Sequence, residues 1–415
     1  MASLSERRSR EIRSARITRR PPSFAVTLVA LAVVFALAWV FFLRTGPAAP
    51  TPMVEGARGT YTWRQTASDL DTGEDGTFSA VAGGNAAGEV KAAEGQATFS
   101  YGSAQSAYDA TTRTETTLGG NGRGHVPASR TVGAWPPVWR VATHSPLDYQ
   151  GLSAIVRTAV EDGDDAVGIK PLKDGERTVW RAAIRLDGRP VELVVDQVTG
   201  LVTWYNDGRS TFTATNDWAS PPPADETYTV EAPAGTEVRT TTDDDYAYAS
   251  SPAEAGRTAG YAPLVSDLAP DGYTLKAIAT SASGYRPEDW IRGDRAGGEV
   301  VGGPLPGAPE QAIAQLYTRG LSWFTVEQIG PKSTGLLGES LRNGLRGGTR
   351  DKLSYEEATL QFGEFTGVTA ATWYQASGPS LLVVGRRRAV FVTGALTRQE
   401  LIAFAEGLKP VPATK

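Results

Sequence analysis

The sequence predicts an α+β fold, mainly β, that follows an N-terminal transmembrane helix. Residues 24–43 contain no charge, Gly or Pro, whereas runs of alternating apolar and polar residues dominate the chain after Gly59. Alternation with a period of two is typical of half-buried strands, and the Gly/Asp/Asn clusters between the runs are typical of turns. Two later segments, 152–160 and 397–408, have the spacing of amphipathic helices.

A basic tail, residues 1–23, precedes the apolar segment. Its first twenty residues contain seven arginines and two glutamates. A helix over residues 24–43 would be about 30 Å long, which matches the hydrocarbon core of a bilayer. Arginines on this flank place the N-terminus in the cytoplasm, and the apolar core is longer than that of a cleaved signal. We therefore expect a single-pass signal anchor in the cell membrane, with the chain beyond the Pro/Ala spacer 44–57 outside the cytoplasm.

Composition narrows the classes of protein further. The chain contains no cysteine, which excludes disulfides and a lipidated N-terminal cysteine. Its formal net charge is −5 despite the basic tail, so the extracytoplasmic part is acidic, and we expect no nucleic-acid partner. The length predicts two folded domains there. The first domain is predicted at 58–240 and the second at 272–409. A linker at 241–271 separates them, and a tail at 410–415 follows.

Within the first domain, aromatic residues at alternating positions indicate strands from Gly59 onward. Helical spacing predicts a helix over 152–160, ended by Gly163. A four-strand meander follows between Thr178 and Thr215, since turn signals separate its apolar runs. The strand Tyr228–Val230 closes the domain. Predicted turns and loops are 71–76, 83–85, 119–124, 187–188, 199–200, 206–208 and 241–260.

The second domain is predicted to begin with a strand pair, 312–317 and 321–328, joined about Arg319-Gly320. Three more strands are expected at 369–375, 380–384 and 389–393. The chain then ends in a helix: Thr397 and Glu400 have the spacing of a capping box, and Gly407 follows as a stop signal.

The residues predict no catalytic, cofactor or metal site. His125 and His144 are the only histidines, and neither lies beside a nucleophile motif. Asp71-Thr72-Gly73 matches the aspartic-protease tripeptide but has no second copy, so we interpret it as a turn. The triplet 243–245 consists of three adjacent aspartates, whose side chains alternate in direction and do not converge easily on one ion. We therefore expect a protein that is not an enzyme.

Two sets of residues are candidates for binding. The aromatic residues at alternating strand positions fit either an ordinary core or the lining of an apolar cavity for an acyl chain or peptide. They are Tyr61, Trp63, Phe78, Phe99, Trp180 and Trp204. The second set, Arg386, Arg387 and Arg388, follows Gly385 and fits either an exposed turn or a docking site for a partner protein.

Several of these segments resemble the LolA and RseB (MucB) family of periplasmic lipoprotein-binding and sigma-E regulatory proteins. Pro190–Leu201 resembles the family's strand that ends in Asp, a short turn and Thr-Gly, and Tyr228–Val238 is similar to its closing strand. Gln315–Val326, and Val383–Gly385 leading to the helix at Leu401–Leu408, resemble the small RseB domain. The resemblance implies an antiparallel half-barrel with a helical plug and a smaller β-rich second domain.

Family members bind lipid or acylated protein, and none is an enzyme. The resemblance therefore implies a lipid or lipoprotein ligand and a membrane-protein partner of the anti-sigma type. This chain differs from the family in its anchor, in lacking an amphipathic helix before the first strand, and in Gly/Asp-rich insertions through 71–124. An anchored protein does not diffuse between membranes, so we expect it to sense or hold a ligand beside its own membrane. The alternative is a structural component of a cell-envelope complex that docks proteins on its sheets.

Overall fold

The computed structural model describes a large part of the chain after residue 55. The described residues are 56–67, 70–81, 86–92, 101–109, 112–121, 128–132, 149–162, 170–174, 177–186, 189–217, 230–232, 234–242, 246–270, 272–281, 311–331, 334, 356–375 and 378–411. Several predicted features lie outside them: the tail, the anchor at 24–43, Phe99, both histidines and the aspartate triplet. Among the residues that are described, no helix has the length and apolar character needed to cross a membrane.

The larger sheet is built from twelve strands. They are β1 Gly56–Ala67, β2 Leu70–Val81, β3 Ala86–Ala92, β4 Tyr101–Asp109, β5 Thr114–Asn121, β6 Ala128–Val132, β7 Lys170–Asp174, β8 Arg177–Leu186, β9 Arg189–Asp196, β10 Val202–Asn206, β11 Ser210–Asp217 and β12 Val238–Thr242. Their order across the sheet is β12-β6-β5-β4-β3-β2-β1-β11-β10-β9-β8-β7. All neighbours are antiparallel except β12 and β6. Since β12 and β7 do not pair with each other, the described strands form an open sheet.

A second sheet of eight strands follows along the chain. These strands are β13 Tyr246–Ala249, β15 Thr274–Ser281, β16 Ile313–Arg319, β17 Ser322–Ile329, β18 Glu356–Thr359, β19 Thr369–Gln375, β20 Gly378–Val384 and β21 Ala389–Gly394. They lie in the order β13-β15-β16-β17-β21-β20-β19-β18, and a separate pair joins β14 Leu264–Ser266 to β22 Leu408–Pro410. The described helices are α1 Gln150–Asp162, α2 Pro252–Ala259 and α3 Arg398–Glu406, with a 3₁₀ turn at Gly363–Phe365. The α+β, mainly β class is confirmed.

The predicted meander is confirmed as β8 to β11, and its turns have local causes. At the β9–β10 turn, the Asp196 carboxylate accepts hydrogen bonds from the backbone N–H groups of Val198 and Thr199 at 2.9 and 2.8 Å. Gly200 completes that turn with φ of 68°, a value that suits glycine. In the β10–β11 turn, Asn206 Oδ1 accepts from the N–H of Gly208 at 2.7 Å. Such side-chain bonds to nearby backbone define Asx turns.

The two long helices also follow the predicted patterns. Helix α1 buries Leu152, Ile155 and Val156 on one side. Helix α3 begins at the predicted capping box: Thr397 accepts from the N–H of Glu400, and Glu400 accepts from the N–H of Thr397. These two bonds satisfy backbone donors that the first helical turn leaves without partners.

The predicted turn at 71–76 is wrong, because β2 runs through it and pairs with β1 along its whole length. Gly76 faces Tyr61 across the two strands, and a Cβ on Gly76 would lie closer than 3.0 Å to the Tyr61 ring. Glycine is therefore present here to make room for a ring, not to bend the chain. Similarly, residues 119–121 belong to strand β5 instead of the predicted turn.

Residues 246–259 were predicted to lie in a polar loop, but they form strand β13 and helix α2. Ser251 caps α2 by accepting from the N–H of Glu254, and Gly260 ends it with φ of 81°. Ala255 and Ala259 pack with Tyr261, Ile278 and Ile313 of the second sheet. The small residues that suggested a loop in the sequence thus form the buried side of a short helix. The bounds predicted for the two domains stay a prediction.

Candidate functional site

Three of the six predicted cavity residues lie together on one face of the larger sheet. Tyr61 and Trp63 are two positions apart on β1, and Phe78 of β2 pairs with Gly59 of β1, so all three side chains share that face. They are buried in one cluster, which we call the aromatic layer. Its members are Ala57, Tyr61, Trp63, Phe78, Ala80, Tyr108, Leu201, Phe212 and Leu321. The Tyr61 and Phe212 ring centroids are 6.1 Å apart.

The other predicted aromatics are placed differently. Trp180 is buried in a neighbouring cluster on the same face, against helix α1. Trp204 pairs with Val194, whereas the next residue, Tyr205, pairs with the fully buried Leu193. Since successive side chains of a strand alternate in direction, Trp204 lies on the opposite face. Phe99 lies outside the described residues.

Helix α1 covers part of the face that carries the aromatic layer. Its residues Leu152, Ile155 and Val156 pack on apolar side chains of β8, β9 and β10. Tyr149, just before the helix, lies 4.7 Å from Phe212 and 5.4 Å from Tyr205 between ring centroids. The helix therefore joins the aromatic layer to the Trp180 cluster.

The other side of α1 is polar and contacts the second sheet. Arg157 is 4% exposed; one of its terminal nitrogens donates to the Ala395 carbonyl at 2.7 Å, and another lies 3.6 Å from Glu400. Thr158 Oγ1 accepts from the Arg398 backbone N–H at 3.1 Å, and the Arg398 guanidinium lies 2.8 Å from Asp162. We call this contact region the seam. It fastens α1 to the start of helix α3.

Gly378 allows the close approach of α1 to the second sheet. Gly378 in β20 has φ of 123°, and a Cβ there would lie closer than 3.0 Å to Gly151 Cα and to the Gly394 carbonyl oxygen. Any larger residue at this position would clash both with α1 at Gly151 and with the neighbouring strand at Gly394.

The hairpin between β16 and β17 also reaches the aromatic layer. Arg319 pairs with Ser322, so Gly320 and Leu321 form a two-residue turn. Gly320 has φ of 54°, as the first central residue of a type II′ turn requires. Leu321, at the tip, is only 2% exposed and belongs to the aromatic layer, against which Trp323 of β17 also packs. The Leu321 carbonyl accepts a hydrogen bond from Gln150 Nε2 at 2.9 Å.

A small cavity lies at the seam, with a volume of about 10 Å³. That is room for roughly one water molecule. Its lining includes Gln150, Ser153, Arg157 and Leu321. Gln150 Oε1, Ser153 Oγ and Arg157 Nε are buried and have no hydrogen-bond partner among the described residues. A buried polar atom without a partner costs about 1–3 kcal/mol. A water molecule in the cavity that bridges these three atoms would remove that cost.

Two phenols at the aromatic layer, Tyr108 within it and Tyr205 packed against it, stay protonated. Burial is the main cause that raises the pKa of Tyr108 to about 12. Burial likewise raises the pKa of Tyr205, with a further contribution from Asp207. Neither group acts as an acid or base near neutral pH. These two phenols therefore add no charge to the aromatic layer near neutral pH.

The predicted docking arginines divide into two kinds. Arg386 and Arg387 are exposed at the hairpin between β20 and β21. Arg388 is partly buried: it donates to the Ala262 carbonyl at 2.7 Å and lies 3.9 Å from Glu364. Arg388 therefore holds the hairpin in place, which leaves Arg386 and Arg387 on the surface. Among the described residues, no group of three or more acidic or histidine side chains is placed to hold a metal ion.

Arg157 and Leu321 were not among the binding residues predicted from the sequence. A charged residue inside the apolar spacing of 152–160 is one signal for Arg157, because such a residue needs a buried partner. Leu321 carried no such signal, because it was predicted to begin the strand 321–328, whereas the observed strand begins at Ser322.

No protein-family model matches the sequence, and no curated protein matches it. Among solved structures, the Pseudomonas aeruginosa MucA/MucB complex matches at 13% identity, with 86% of this chain and 95% of that chain covered and a TM-score of 0.27. MucB alone matches at 13% identity, with 91% and 98% covered and a TM-score of 0.23. PNGF-II matches at 9% identity, with 56% and 41% covered and a TM-score of 0.21. Superpositions this loose say nothing about the site.

Proposed function

We propose that this chain is a membrane-anchored, extracytoplasmic binding and regulatory protein without enzymatic activity. It holds an apolar ligand, a lipid or the acyl chain of an acylated protein, on the aromatic layer beside helix α1. The observation that carries the proposal is the position of α1, whose apolar side packs on the larger sheet while its polar side is fastened to the second sheet. A ligand that displaces α1 would thereby change the seam.

The chemistry of the aromatic layer fits an acyl chain. Its side chains are aliphatic or aromatic, and the phenol of Tyr108 is neutral, so the layer offers contact area without charge. A membrane-protein partner of the anti-sigma type belongs to the proposal as well. Arg386 and Arg387 are the exposed cations that would meet an acidic segment of that partner.

The second candidate function is assembly: a cell-envelope component that docks proteins on its sheet surfaces. It is favoured by the tight burial of Tyr61, Trp63 and Phe78, which are between 2% and 6% exposed. A layer packed this closely has no free volume for a ligand unless α1 or the second sheet moves.

Native mass spectrometry of the full chain with palmitate separates the two functions. Trp63→Ala and Trp204→Ala form a matched pair, because the two tryptophans lie on opposite faces of the same sheet. We expect palmitate adducts on the wild-type chain. Their abundance should change several-fold for Trp63→Ala and should stay the same for Trp204→Ala. An absence of adducts on all three chains would favour assembly, and equal effects of both substitutions would place the ligand elsewhere.

A further inference from the structure

We propose that the β16–β17 hairpin tip is an intramolecular plug of the aromatic layer, so that docking of the tip and binding of an apolar ligand exclude each other. The inference rests on the proposed function and specifies how the site is regulated. Its first support is the burial of Leu321. Two-residue turns ordinarily present polar residues to solvent, yet this leucine is 2% exposed among aromatic side chains of the other sheet.

The tip is held by contacts that depend on α1. The Leu321 carbonyl accepts from Gln150 Nε2 at 2.9 Å, across 171 residues of sequence. Gln150 begins the helix whose Arg157 reaches the Ala395 carbonyl, and the Ala395 N–H in turn donates to the Trp323 carbonyl at 2.8 Å. The hairpin, the seam and α1 therefore form one connected set of contacts. Displacement of the helix would release the tip.

Several buried polar groups lie beside the docked tip. Gln150 Oε1, Ser153 Oγ, Arg157 Nε and Trp323 Nε1 are buried without a hydrogen-bond partner among the described residues. All but Trp323 line the one-water cavity next to Leu321. Bulk water would solvate these groups on opening, and this offsets part of the cost of exposing Leu321.

The test compares Leu321→Asp and Leu321→Ala with Val198→Asp in the full chain, by titration with palmitate in one nonionic detergent and native mass spectrometry. Val198 is 77% exposed in another turn, so it controls for the added charge. Loss of the buried leucine contact should raise palmitate affinity about tenfold for Leu321→Asp and by a smaller factor for Leu321→Ala. Val198→Asp should leave the affinity unchanged. Equal affinities of all chains would overturn the plug and leave the proposed function standing, whereas no binding by any chain would overturn both.

A thiol provides an independent readout, because the chain has no cysteine of its own. Ser322 is 4% exposed next to the tip, and Ser322→Cys changes only one atom. Alkylation of this thiol by N-ethylmaleimide should be slow without palmitate and at least several-fold faster with it. Ala405→Cys, in the fully buried core of the second sheet, should stay protected in both conditions. A Ser322→Cys thiol that stays protected while palmitate binds would contradict the plug.

Discussion

Gly76 and Tyr61 show how a single residue supports the aromatic layer. The two face each other across β1 and β2, and the ring of Tyr61 occupies the space that a side chain at position 76 would need. Tyr61 is 2% exposed, so its ring has nowhere to move. The glycine that breaks the apolar pattern in the sequence is thus what allows a buried tyrosine to lie flat on the sheet.

Gly76→Ala should destabilise the fold by about 1–3 kcal/mol through overpacking against that ring. Denaturant unfolding of the full chain measures this change. In a Tyr61→Ala background the same substitution should cost less than about 1 kcal/mol, since the obstructing ring is gone. Equal costs in both backgrounds would show that the close approach to Tyr61 is not the cause.

At the scale of elements, helix α1 is the part that joins the two sheets. Most of its length is buried, which is common for an apolar helix but not for one that carries an arginine. Arg157 is tolerated because a backbone carbonyl and Glu400 meet its guanidinium. The helix is therefore specified by apolar spacing on one side and by long-range polar contacts on the other.

Arg157→Ala should lower the free energy of unfolding by about 2–4 kcal/mol, because it removes a charge-assisted hydrogen bond and leaves the Ala395 carbonyl without that donor. Arg181→Ala is the matched control: its ion pair with Glu192, at 3.0 Å, lies on the exposed surface of the larger sheet, and its loss should cost less than about 1 kcal/mol. Denaturant titration of both variants gives the comparison. A smaller loss for Arg157→Ala than for Arg181→Ala would mean that the seam does not stabilise the fold.

The elements that the sequence predicted well are those with local causes. The meander follows from Asx turns at Asp196 and Asn206, and α3 follows from its capping box. Strand β2 was misread because the reason for Gly76 is a ring fifteen residues earlier in the chain. The seam was missed because its contacts are also distant in sequence: Gln150 and Leu321 are 171 residues apart.

At the scale of the whole molecule, the aromatic layer lies where the larger sheet, α1 and the second sheet meet. The larger sheet supplies the aromatic rings, α1 closes one side, and the β16–β17 hairpin places Leu321 among the rings. The proposed ligand site is thus closed by parts of the same chain. The proposed regulation depends on that arrangement, because an opening of the site would also loosen the contact between the sheets.

Photo-crosslinking of the full chain with a diazirine analogue of palmitate, mapped by peptide mass spectrometry, tests the central claim most directly. We expect labels on peptides of β1, β2 and β11, which carry Trp63, Phe78 and Phe212, and more label when Leu321 is replaced by Asp. Excess unlabelled palmitate should remove these labels. Labels confined to residues 24–43, or to the opposite face around Trp204, would contradict it.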